Sequence, residues 1–198
     1  MSVTLTFQSS LSVPPTASGR KRWTRDDVAF LSNAGLLNGR YELIDGELID
    51  KMGQNRPHAL AVSLVLSYLY LRFGPRRVQT QATMEVREDD RLTNRPEPDA
   101  VVLRTEIDRN PEGTDVLLAV EISDTTAADD LGFKVGLYAR AGVAEYWVLD
   151  LNRRLLIAFR QPDATTGEWR ERYERREGDT IAPLSMADHP IALADLLA

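Results

Sequence analysis

The chain has 198 residues, 43% of them hydrophobic and 27% charged, a balance that fits one soluble globular domain with a sizeable core. No apolar stretch approaches the roughly 20 residues needed to cross a bilayer, and the lack of cysteine excludes disulfides, thiolate nucleophiles and cysteine-rich zinc sites. The net charge of −6 argues against a uniformly basic surface for nucleic acid, although arginines gather locally at Arg20, Arg22 and Arg25, at Arg76 and Arg77, and at Arg170, Arg172, Arg175 and Arg176.

Residues 1–19 are rich in Ser, Thr and Pro without periodicity and read as a flexible arm, with one domain over 20–198. The N-terminus has no basic start followed by a continuous apolar core, so a cytoplasmic location is expected. Order is expected to begin near Trp23, with Thr24 and Asp27 forming a capping box for a short helix that ends near Gly35. YELIDGELID carries Asp45 and Gly46 between two short runs, the strongest hairpin signal in the chain, and sets Glu42 and Glu47 on opposite arms.

From His58 to Phe73 the apolar residues predict a largely buried helix, stopped by Gly74 and Pro75. VQTQATMEV alternates and predicts a strand over 78–86; DAVVL and VLLAVEI predict two more. Thr126 with Asp129 can cap a helix running to Ala141 and ending at Gly142, before a buried strand in EYWVLD. Strands are expected near 154–160 and 168–175, and a last short helix from Pro190. This order implies a sheet with helices packed on it, an α/β (α+β) architecture.

Three charged residues sit where folding alone would prefer something else. Asp99 opens PDAVVL, Glu121 nearly closes LLAVEIS, and Lys134 shares its helical stripe with Leu131, Tyr138 and Ala141. Each has a plain structural account: Asp99 follows a proline and can be a loop acid, and Lys134 can pair with Asp130 four residues earlier. Glu121 is harder to explain away, because an unpaired buried carboxylate is expensive and needs a cation or a proton. From neighbouring strands, Asp99 and Glu121 can share one Mg²⁺, or Mn²⁺ in its place, with the backbone carbonyl of Ile122, waters and a substrate phosphate completing its shell. The cation would polarise a phosphodiester and activate water, and Lys134 would orient that water or stabilise the transition state. Glu47 and His58 are further candidates, Glu47 preferred over Glu42; an exposed turn acid and a polar helix-start residue are the ordinary accounts of the two.

At these residues the chain resembles the PD-(D/E)XK nuclease superfamily and, within it, the Uma-two family of restriction-endonuclease-like proteins. The matching stretches are YELIDGELID, the helix at His58, RPEPDAVVL, LLAVEISDTT, KVGLYARAGVAEYWVLD and IALADLL, covering about residues 23–197. The resemblance implies a restriction-endonuclease-like core: a helix, a three-stranded meander, a second helix and a further strand, in a mixed sheet flanked by helices with an N-terminal hairpin. By the same likeness Asp99 and Glu121 take the places of the two metal-binding acids. The superfamily's usual lysine, two residues after the second acid, is Ser123 here, and Lys134 is the candidate replacement. The expected function is a metal-dependent endonuclease acting on DNA, as a homodimer because two strands need two centres. The alternatives are a catalytically silent nuclease-fold module that binds nucleic acid or regulates, and a small-molecule phosphodiesterase.

Overall fold

The computed structural model describes residues 21–51, 55–124 and 127–197. The arm expected over residues 1–19 and the cap expected at Thr126 lie outside them. Helix α1 spans Arg25–Asn33, and the expected capping box is present: the Thr24 side chain accepts from Asp27 N, and Asp27 returns the bond to the Thr24 backbone. Strands β1 (Tyr41–Ile44) and β2 (Glu47–Asp50) form the hairpin. Asp45 and Gly46 both take positive φ, 48° and 76°, as a turn matching the twist of two short strands requires.

Helix α2 spans Arg56–Phe73, with Asn55 capping it by accepting from His58 N. It was expected to be largely buried, but only one face is; Leu60, Tyr70 and Leu71 stand exposed, because the sheet covers a helix from one side. The strand expected over 78–86 is cut to β3, Val78–Thr80, since Gln81 adopts φ 49° and turns the chain out of the ladder. The short helix α3 (Glu88–Arg91) follows, then β4 (Ala100–Leu103) and β5 (Val116–Ser123). The single helix expected over 126–141 is instead α4 (Ala127–Asp130) and α5 (Phe133–Ala141), interrupted at Gly132, whose ψ of −109° is not helical. Gly142 closes α5 in the left-handed conformation.

Strands β6 (Glu145–Asp150), β7 (Leu155–Asp163) and β8 (Glu168–Arg176) complete a six-stranded sheet of order β3-β4-β5-β6-β7-β8. All neighbours are antiparallel except β5 and β6, which the α4–α5 crossover makes parallel. Pro190 does not start a helix: the tail forms β10 (Ile191–Ala192) against β9 (Thr180–Ile181), then a 3₁₀ turn at Leu193–Asp195.

The sheet is covered on both faces, which is why β5 and β6 read as nearly unbroken apolar runs. One face packs Val102, Leu118, Val120, Trp147 and Leu156 against α2 and the C-terminal leucines. The other packs Ala119, Tyr146, Val148 and Ile157 against Leu137 and Tyr138 of α5 and Ile44 of the hairpin. Among the described residues, no helix is long and apolar enough to cross a membrane.

Candidate active site

Register brings the first two acids together. Ala100 pairs with Val120, so one step further along these antiparallel strands Asp99 stands opposite Glu121. Asp99 Oδ2 accepts from the backbone N of Ile122 at 2.9 Å, taking a ladder position with its side chain. Glu121 points to the α5 side, where Oε1 accepts from Tyr138 Oη at 2.7 Å and from Lys134 Nζ at 3.0 Å. Asp99, Glu121 and Lys134 are each at most 2% exposed.

Two more carboxylates join them. Lys134 Nζ lies 2.8 Å from Glu42 Oε2 and 3.0 Å from Asp130 Oδ1, so three acids share one ammonium. Glu42 reaches the cluster because the hairpin docks on the segment entering β4: Leu43 and Arg95 exchange backbone bonds, Gly46 N donates to Thr93 O, and Glu97 N donates to Glu42 Oε1. Asp130 is held by Ser123, whose Oγ donates to Oδ2 at 2.6 Å. From the open side come Lys51, 3.8 Å from Glu42 and 3.9 Å from Asp99, and His58, whose Nε2 lies 3.5 Å from Asp99 Oδ2. Glu47 does not arrive. It shares a face with Glu42 but pairs with Ile44 beside the turn and is exposed.

A cavity of about 440 Å³, lined by Arg25, Ser32, Tyr41 and Arg95 among others, lies beside α1 and includes none of these acids. The carboxylate cluster, not this cavity, is the candidate site, since charge crowding is the feature that folding alone does not demand.

Sequence comparison matches residues 36–191 to the Uma-two family, described as "putative restriction endonuclease". The chain belongs to the Uma-two family. No curated protein matches it by sequence. Its fold is similar to the crystal structure of a putative nuclease belonging to DUF820 from Anabaena variabilis ATCC 29413, at 16% identity and a TM-score of 0.61, over 84% of this chain and 96% of that one.

In this Uma-two protein the place two residues after Glu121 holds no lysine. Ser123 occupies that place, anchors Asp130, and Asp130 with Glu42 and Glu121 fixes Lys134 from the helix. The pairing of Lys134 with Asp130 expected of a plain surface helix is therefore present, but buried and shared. Burial drives the Glu121 carboxyl up to about 8, and the acids Asp130 and Glu42 push the same way against the two lysines. Burial pulls Lys134 down, yet Glu121, Glu42 and Asp130 outweigh it and hold the ammonium well above its usual range. His58 is raised, chiefly by its bond to Asp99. Asp99 is pushed up by burial, but His58, Lys51 and the Ile122 N–H together bring it below the usual carboxylate value.

Glu42, Lys51 and Asp130 were not selected from sequence. Alternation along the hairpin offered a signal for Lys51, since residues 47, 49 and 51 share the face of Glu42. Asp130 had a signal too, in its i,i+4 spacing from Lys134, but that spacing suits a solvated pair equally well.

Proposed function

We propose that this chain is a divalent-cation-dependent endonuclease that hydrolyses phosphodiester bonds in DNA. One observation carries the reading: Glu42, Asp99, Glu121 and Asp130 are all at most 2% exposed, and the basic groups beside them are Lys134, the part-exposed Lys51 and His58. Burial, with Asp130 and Glu42 adding to it, raises the Glu121 carboxyl to about 8, and a metal ion at its oxygens would favour the ionised form. Asp99, Glu121 and the backbone carbonyl of Ile122 offer only oxygen, which suits Mg²⁺ or Mn²⁺ over softer metals. When bound, the ion supplies charge neutralisation at the phosphate and a more acidic water.

The chain's own groups prepare that site. Ile122 N–H and His58 fix Asp99, while Tyr138 and Lys134 both converge on Oε1 of Glu121. This is orientation by hydrogen bonds from neighbours, which sets ligand geometry before a substrate arrives. A homodimer belongs to the same proposal, since each protomer would cut one strand.

Incubation of plasmid DNA with Mg²⁺ or Mn²⁺, and with EDTA as control, tests the reading. Wild type is expected to cut only with the ion, and Asp99→Asn to cut at least about 100-fold more slowly while staying folded. Intact plasmid in every metal would overturn it. A second reading has its own support: Ser123, not a lysine, stands two residues after Glu121. A silent nuclease-fold module would bind DNA equally with EDTA, and Asp99→Asn would leave binding unchanged. A chromogenic small phosphodiester, used as competitor in the plasmid assay, separates out a small-molecule phosphodiesterase, for which it would be the better substrate.

A further inference from the structure

The two lysines of the cluster are not equivalent. An ammonium has three N–H donors. Lys134 has three carboxylate oxygens within 3.0 Å, from Glu42, Glu121 and Asp130, and its side chain is 3% exposed. It has nothing left to offer a ligand. Lys51 stands 3.8 Å from Glu42 and 3.9 Å from Asp99, beyond hydrogen-bond length for both, and its side chain is 18% exposed. It is the more exposed of the two lysines beside these acids.

Position supports the distinction. Lys51 continues β2, with its backbone N bonded to Arg40 O, so the hairpin holds its base in place while the long side chain stays adjustable. Lys134 lies behind Glu121, between the sheet and α5, where a DNA phosphate cannot reach without displacing the acids.

We propose that Lys51 is the residue that contacts the DNA phosphate at this site, donating to a non-bridging oxygen, and that Lys134 is a positioning residue for Glu121 and Glu42. The inference rests on the nuclease reading above and inverts the roles expected from sequence, where Lys134 was the catalytic lysine. A cation of this placement serves two purposes: it offsets the repulsion between an acidic cluster and an incoming phosphate, and it stabilises charge that grows on the phosphate oxygens.

Four proteins test it: wild type, Lys51→Ala, Lys51→Arg and Lys134→Met. Binding of a short labelled DNA duplex is followed by fluorescence anisotropy in EDTA, cleavage in Mg²⁺ or Mn²⁺, and thermal unfolding without metal. Lys51→Ala is expected to weaken EDTA binding several-fold and slow cleavage about 100-fold, with a much smaller loss of Tm than Lys134→Met. Lys51→Arg should recover most of the binding. Lys134→Met should lower Tm strongly, because it strands buried acids. Equal binding and cleavage by wild type and Lys51→Ala would overturn the proposal and leave the nuclease reading intact. A fall in Tm for Lys51→Ala as large as for Lys134→Met would also overturn it, making Lys51 structural. Wild type that binds DNA through Lys51 but never cleaves would refute the nuclease reading alone. Wild type that neither binds nor cleaves would refute both.

Discussion

Glu121 is the residue on which the site's response to pH turns. Its carboxyl ionises near 4.5 when unfolded and near 8 in the fold, so between these values the native state holds a proton that the unfolded state has released. Without metal, this group's contribution to stability is therefore full below pH 4.5 and is lost as pH rises towards 8. A divalent ion competes for the same oxygens. Its affinity should rise about tenfold per pH unit up to about pH 8 and then level off, with one proton released per ion bound. Calorimetric titration with Mn²⁺ in buffers of different ionisation enthalpy measures both quantities. Glu121→Gln should bind more weakly and show no such slope; a flat profile in wild type would mean that Glu121 does not titrate at the site. Asp99 behaves in the opposite sense. Its lowered value adds stability that is present above the ordinary carboxylate range and is lost as pH falls through the folded value, so Asp99 is an anion at neutral pH.

Among the elements, the β1–β2 hairpin has most leverage, because it delivers both Glu42 and Lys51. Its turn depends on Gly46 at φ 76°, and a Cβ built there would meet the Arg22 Cβ at 2.7 Å. Gly46→Ala is expected to cost more than about 1 kcal/mol in stability and to lower cleavage further by shifting the hairpin. Asp45→Gly, at φ 48°, should be close to neutral in urea unfolding, since glycine adopts that conformation freely. If both variants unfold like wild type, the turn does not set the hairpin. Elements governed by such local chemistry were legible in the sequence: the Asp45–Gly46 turn, the Thr24–Asp27 box and the Gly142 cap each formed where expected. Elements decided by tertiary contacts were not. Alternation ran on past Gln81, but Arg40 binds the Gln81 side chain and carbonyl, and the chain turns there. The tail after Pro190 pairs with β9 rather than coiling, a long-range bond that helix-start signals do not contain.

At the scale of the whole molecule, the same division explains how much of the site could be read. Asp99 just before β4, Glu121 in β5 and Lys134 in α5 are neighbours in both chain and space, and strand register with the crossover helix brings them together. Glu42 enters from 79 positions before Glu121, and only the docking of the hairpin on residues 93–97 puts it there, so preference between Glu42 and Glu47 had no basis in periodicity. That docking also fixes where we place the start of the domain. Trp23 N donates to Gly46 O, Lys21 pairs with Asp27 at 3.3 Å, and the core clusters are built from Ile44 onward. We propose 20–198 as the folding unit, with the Ser-, Thr- and Pro-rich residues 1–19 outside it. A chain starting at Arg20 should match full-length protein in Tm to within about 2 °C, because losing even 1 kcal/mol would shift a domain of this size by about 2–4 °C. It should also keep full cleavage. A drop of many degrees would place residues 1–19 inside the domain, and loss of cleavage at constant Tm would place them at the DNA.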